Sequence, residues 1–85
     1  MKRVLLLLAN GFEKALLGIG ERAGQPTIAV YDFEVCVAIL CERDGMHYDD
    51  AVEFMYYNVV GAWVGENTPL FVRRVNSVED LTDVD

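Results

Sequence analysis

Thr27-Ile28-Ala29-Val30-Tyr31 is β-branched and aromatic, and Asp32 follows it directly, with no spacer before an apolar stripe at Phe33, Cys36, Val37 and Leu40. This junction constrains the fold more than any other stretch. Such side chains favour a pleated, half-buried strand. Apolar spacing at i, i+3, i+4 and i+7 instead defines one face of a helix. Asp32 between them is a natural N-cap, its carboxylate able to accept from the orphan amides of a first turn. The helix is expected from about Phe33 to Arg43, with Asp44-Gly45 ending it. Val35, Ile39 and Cys41 widen the stripe, so this helix is covered on most sides.

Upstream, Ala15-Leu16-Leu17-Gly18-Ile19-Gly20 reads as a strand weakened by glycines, and Arg22-Ala23-Gly24-Gln25-Pro26 as a turn. A β-hairpin over residues 15–31 follows. Val4-Leu5-Leu6-Leu7-Leu8, in the segment 4–9, fits a buried strand or the core face of a short helix, and periodicity does not choose. Downstream, His47-Tyr48-Asp49-Asp50 opens a second helix that reaches to about Ala62 or Trp63, its early acids favoured by the helix dipole. Ala51, Met55, Val59 and Ala62 form its core stripe, with Val52 and Trp63 at the margins. Gly65, Asn67 and Pro69 break the chain before a final strand, Leu70-Phe71-Val72. The elements predict a small α+β domain of order β-β-α-α-β over residues 1–74. Its antiparallel sheet of about three strands packs against a helical hairpin. Residues 75–85 are expected as an acidic, flexible tail.

The chain has 85 residues, of which 53% are hydrophobic. A single domain of this length buries only about 60% of its unfolded surface. The apolar surplus therefore either packs tightly or serves a partner or a second copy. The formal charge of −7 is unevenly placed. Residues 1–28 carry four bases and two acids, residues 29–72 eight acids against Arg43 alone, and residues 75–85 four acids. This balance argues against direct nucleic-acid binding, and no apolar run approaches the ~18 residues of a membrane span. Cys36 and Cys41 lie roughly 140° apart on a helix and cannot bridge each other. They read as reduced, buried thiols of a cytoplasmic protein.

Chemistry-bearing motifs are few. His47 is the one histidine and Ser77 the one serine, far apart in sequence, and no metal-ligand spacing is present. No catalytic group, metal or cofactor is expected. Two sets of residues remain as binding candidates. The first is an acidic helical face of Asp32, Glu34, Glu42, Asp44, Asp49, Asp50 and Glu53. The second is an aromatic-lined pocket of Tyr56, Tyr57, Asn58 and Trp63, where Asn58 interrupts an apolar run either as a structural amide or as a polar anchor.

Gly18-Ile19-Gly20, Tyr31-Asp32, Arg43-Asp44-Gly45-Met46, Asp50-Ala51, Glu53, Asn58, Gly61-Ala62-Trp63-Val64-Gly65-Glu66, Thr68-Pro69 and Phe71 together resemble a family of small uncharacterised bacteriophage and prophage proteins. The stretch from Asn58 to Pro69 is the most distinctive. The family's pattern has Thr or Ser where His47 stands, so the second helix start departs from it. The resemblance implies a phage-associated origin and no established activity. With the acidic face, it leads to the expectation of a non-enzymatic protein-binding module, of the kind that inhibits host defence as anti-CRISPR proteins do. An acidic surface of that kind can occupy a protein groove that normally tracks nucleic acid. The alternative is a small homodimer holding a small molecule or signalling nucleotide in the aromatic pocket, with only Arg22, Arg43, Arg73 and Arg74 available to meet phosphates.

Overall fold

The computed structural model describes residues 6–83. Strand β1 is Leu16–Gly20 and β2 is Ile28–Asp32, the hairpin expected from sequence. They pair antiparallel with Gly20 opposite Ile28 and Leu16 opposite Tyr31, and the register shifts between Leu16 and Gly18. Gly18 sits at that irregularity with φ +152°, which L side chains rarely adopt.

Helix α1, Phe33–Asp44, starts at the residue after β2. Asp32 Oδ1 accepts from the Val35 amide at 3.1 Å, and Gly45 ends the helix. Phe33, Cys36, Val37 and Leu40 are all buried, as their spacing predicts. Helix α2 covers only Tyr48–Phe54, and from Met55 to Val60 the winding widens to a π-helix. The expected single helix to Ala62 or Trp63 is therefore corrected. A π turn takes more residues than the 3.6 of an α-helix, so a stripe projected at α spacing drifts off the core. Ala51 and Met55 are buried and Val59 packs against them, whereas Ala62 is exposed and Trp63 is 75% exposed.

Strand β3, Leu70–Val72, runs parallel to β2, with Val30 opposite Leu70 and Tyr31 opposite Phe71. The sheet order is β1-β2-β3. The α+β class and the β-β-α-α-β order hold, but the sheet is mixed rather than wholly antiparallel. The chain leaves β2 straight into α1 and returns only after both helices and the linker 61–69. A crossover of that length carries it back to the end where β2 began.

The core lies on one face of this sheet. Ala29 and Tyr31 point into it from β2, against Phe33, Cys36, Val37 and Leu40 of α1, Ala51 of α2 and Met55. Phe12 and Ala15 join from a short 3₁₀ turn, Glu13–Ala15. Tyr31 stacks on Phe71 with centroids 5.5 Å apart, and its buried hydroxyl accepts from the Ala9 amide at 2.8 Å. That bond anchors residues 6–9, which form neither strand nor helix. Val4 and Leu5 of the ambiguous segment lie outside the described residues. Arg43 ties the same region to the end of α1. It donates to the Gly11 carbonyl at 3.0 Å, holds Asp44 and lies 5.6 Å from the Phe12 ring. Within the expected tail, Val78–Asp83 winds into a 3₁₀ helix, with Asp80 Oδ2 accepting from the Asn76 and Ser77 amides.

Candidate functional site

The seven acids expected on one face have different fates. Asp32 is 4% exposed and leaves the candidate surface altogether. One oxygen caps α1, and the other meets Arg74 Nη2 at 2.8 Å. Glu34 accepts from the Tyr48 hydroxyl at 3.1 Å, and this bond to a carboxylate, with its charge nearby, pushes the Tyr48 phenol up from its ordinary value. Asp44 takes two bonds of 3.0 Å from Arg43, whose guanidinium holds its carboxyl below the usual range. Glu42 lines a groove with Gly11, Glu13 and Lys14.

Asp50 and Glu53 are brought together with residues of the aromatic set. They line a groove of about 300 Å³ with Tyr57 and Asn58, over Met46 and Phe54. Asp50, Glu53 and Phe54 stand at i, i+3 and i+4 on one face of α2, and the π turn that follows brings Tyr57 and Asn58 to the same groove. Tyr57 is 78% exposed, so its ring is available to a ligand. Met46 and Phe54 are half-buried and pack against the core. Sequence reasoning missed them as site residues, because apolar groups flanking a helix read as packing. The groove thus offers two carboxylates, an amide and an aromatic face above an apolar floor. That set suits a cationic side chain, which takes charge pairing and cation–π contact at its head and apolar contact along its stem.

The rest of the aromatic set lies elsewhere. Tyr56 packs on Phe33 with centroids 5.0 Å apart and accepts from Arg73 Nη1. Both line a groove of about 460 Å³ with Glu34, Tyr48, Asp49 and Arg74. Trp63 lines a third groove, about 680 Å³, with Ile28, Val30 and Leu70. Tyr56, Tyr57, Asn58 and Trp63 therefore border three grooves rather than one pocket. Arg43, Arg73 and Arg74 are each engaged inside the chain, which leaves little cationic capacity for a phosphate.

Cys36 and Cys41 are free thiols, the first buried and the second half-buried. Burial, and secondarily the Asp32 charge, pushes the Cys36 thiol up to about 11, the reverse of an activated nucleophile. His47 precedes α2 and makes no side-chain cap bond. Among the described residues no group of three His, Cys, Asp or Glu side chains is placed to hold a metal, and no helix is long and apolar enough to cross a membrane. Comparison of the chain with protein-family models, with curated proteins and with solved structures finds no match.

Proposed function

We propose that this chain is a non-enzymatic protein-binding module that seats a basic side chain of its partner between Asp50, Glu53, Tyr57 and Asn58. The observation that carries this reading is the convergence of two carboxylates, an amide and an exposed tyrosine on one groove with an apolar floor. Glu34, Glu42 and Asp49 border other grooves and add to the chain's net negative charge. Such charge speeds encounter with a positive patch and rejects acidic partners. The partner of this chemistry is a protein whose basic groove normally tracks nucleic acid. The resemblance to phage proteins makes inhibition of a host-defence complex the biological form of that activity.

The test separates this groove from net charge. Binding of an arginine-rich peptide is measured by calorimetry for the native chain and for Glu53→Lys, Asp50→Asn, Tyr57→Ser and Glu42→Lys. The groove variants lose affinity by about tenfold each, as expected when a charge-assisted or aromatic contact worth ~1.4 kcal/mol is removed. Glu42→Lys, which makes the same charge change as Glu53→Lys but lies at a different groove, loses far less. Equal losses for Glu42→Lys and Glu53→Lys would overturn the reading, because net charge alone would then govern binding.

A further inference from the structure

We propose that the groove at Asp50 and Glu53 selects arginine over lysine, with Tyr57 and Asn58 setting the choice. This selectivity rests on the binding role already proposed and names the side chain it takes. The side chains of Asp50, Glu53, Tyr57 and Asn58 make no hydrogen bond or ion pair among the described residues. Asp32, Glu34 and Asp44, by contrast, are each held by groups of the chain itself. The groove is about 300 Å³, the low end for a small-molecule site, so it has room for one long side chain and not for a folded element. Asp50 and Glu53 stand one turn apart on α2, and Asn58 adds an amide oxygen from the π turn. Acceptors spread along one wall suit the forked, coplanar donors of a guanidinium, whereas an ammonium is a compact point charge. The Tyr57 ring is exposed, and a planar guanidinium can lie flat on such a face. Met46 and Phe54 form an apolar floor. A guanidinium holds its water less strongly than an ammonium, so it gives up less in settling there.

The chain already seats two of its own arginines by the same means. Arg43 bonds both oxygens of Asp44 at 3.0 Å and lies 5.6 Å from the centroid of the Phe12 ring. Arg73 donates to the Tyr56 hydroxyl in a groove lined also by Glu34, Tyr48 and Asp49. The groove of Asp50, Glu53 and Tyr57 presents the same residue types with no arginine of the chain in it. Lys14 behaves differently. It lines a groove with Glu13 and Glu42 that has neither an aromatic ring nor a side-chain amide, and it makes no ion pair among the described residues. Negative charge alone does not fix Lys14, whereas carboxylate and ring together hold Arg43.

The test titrates the full chain by calorimetry with two peptides of equal length and charge, one carrying arginines and the other lysines. The native chain binds the arginine peptide at least about tenfold more tightly. Dimethylation of the arginines keeps their charge but blocks the forked hydrogen bonds, and it brings affinity down to the lysine level. Tyr57→Ser and Asn58→Ala, both at exposed positions, bring the two peptides toward parity with unchanged far-UV circular dichroism. Tyr57→Phe, which keeps the ring, restores the preference. Equal affinity of the native chain for both peptides, with both weakened by Glu53→Lys, overturns the selectivity while leaving the acidic groove as the binding site. Binding of neither peptide overturns the selectivity and the binding role together. A preference that survives Tyr57→Ser and Asn58→Ala overturns the part given to those residues.

Discussion

Asp32 shows how one side chain can satisfy a local rule and thereby be lost to a partner. It was legible as a cap from its place after a β-branched run. The same placement buries it, with both oxygens committed to Val35 and Arg74. Replacing it with Ala removes the cap acceptor and is expected to cost about 1–2 kcal/mol. Asp32→Asn keeps an acceptor for the Val35 amide and loses only the pair with Arg74. The Arg74 side chain is 69% exposed, so that pair is screened and its loss costs less than about 1 kcal/mol. Urea unfolding should therefore order the proteins native, Asn, Ala. Cys36 gives a second prediction. Its folded thiol ionises near pH 11 and an unfolded one near pH 9. The folded state thus holds the proton more tightly, and this contribution to stability is complete below pH 9 and is lost as pH rises to 11. In that window stability falls by up to about 1.4 kcal/mol per pH unit from this group. Cys36→Ala is less stable at neutral pH through the cavity it leaves, but loses this part of the slope. Denaturant midpoints between pH 8 and 11 check both statements.

Helical segments part from the sequence reading where α and π winding give nearly the same apolar pattern. Met55, Tyr56, Val59 and Val60 would suit either, and only the backbone shows the wider turn, which ends where the Gly61 amide bonds the Tyr56 carbonyl at 3.0 Å. A Cβ at Gly61 would lie 2.7 Å from that same oxygen. Gly61→Ala must therefore displace backbone, at a cost on the order of 1–3 kcal/mol. Because Tyr57 and Asn58 belong to that turn, the substitution should also weaken binding of an arginine-rich peptide by more than its effect on the melting temperature accounts for. Thermal melts paired with calorimetry on the same samples measure this. Gly61 is the one sequence clue to the turn, and it reads equally well as an ordinary helix end. The hairpin and α1 were legible because β-branched residues, a cap and a stripe agree over consecutive positions. The direction of β3 was not, since three apolar residues carry no polarity and pairing depends on the path of the preceding crossover. Phe12 and Ala15 were missed in the core for a similar reason. A single 3₁₀ turn is too short to show a period.

For the whole molecule, the −7 charge is concentrated in residues 29–72 and 75–85, whereas exposed apolar side chains occur on the sheet, on the helical segments and at Val78 and Leu81. Composition revealed both quantities, and the charge tally along the chain already set residues 29–72 apart. Only the fold shows that the acid-bearing helices pack on one face of the sheet, while the other face is bordered by Trp63, Glu66, Thr68 and Pro69. The position of the acids gives the proposed association a defined response to salt. The acidic groove meets a cation, so its binding weakens as the screening length falls from ~10 Å at 0.1 M salt to ~3 Å at 1 M. Raising the salt concentration should therefore loosen the peptide complex, by a larger factor for the native chain than for Glu53→Lys, and calorimetry across that range measures it. If affinity were unchanged between about 0.1 M and 1 M salt, charge pairing at Asp50 and Glu53 would be excluded as the source of binding.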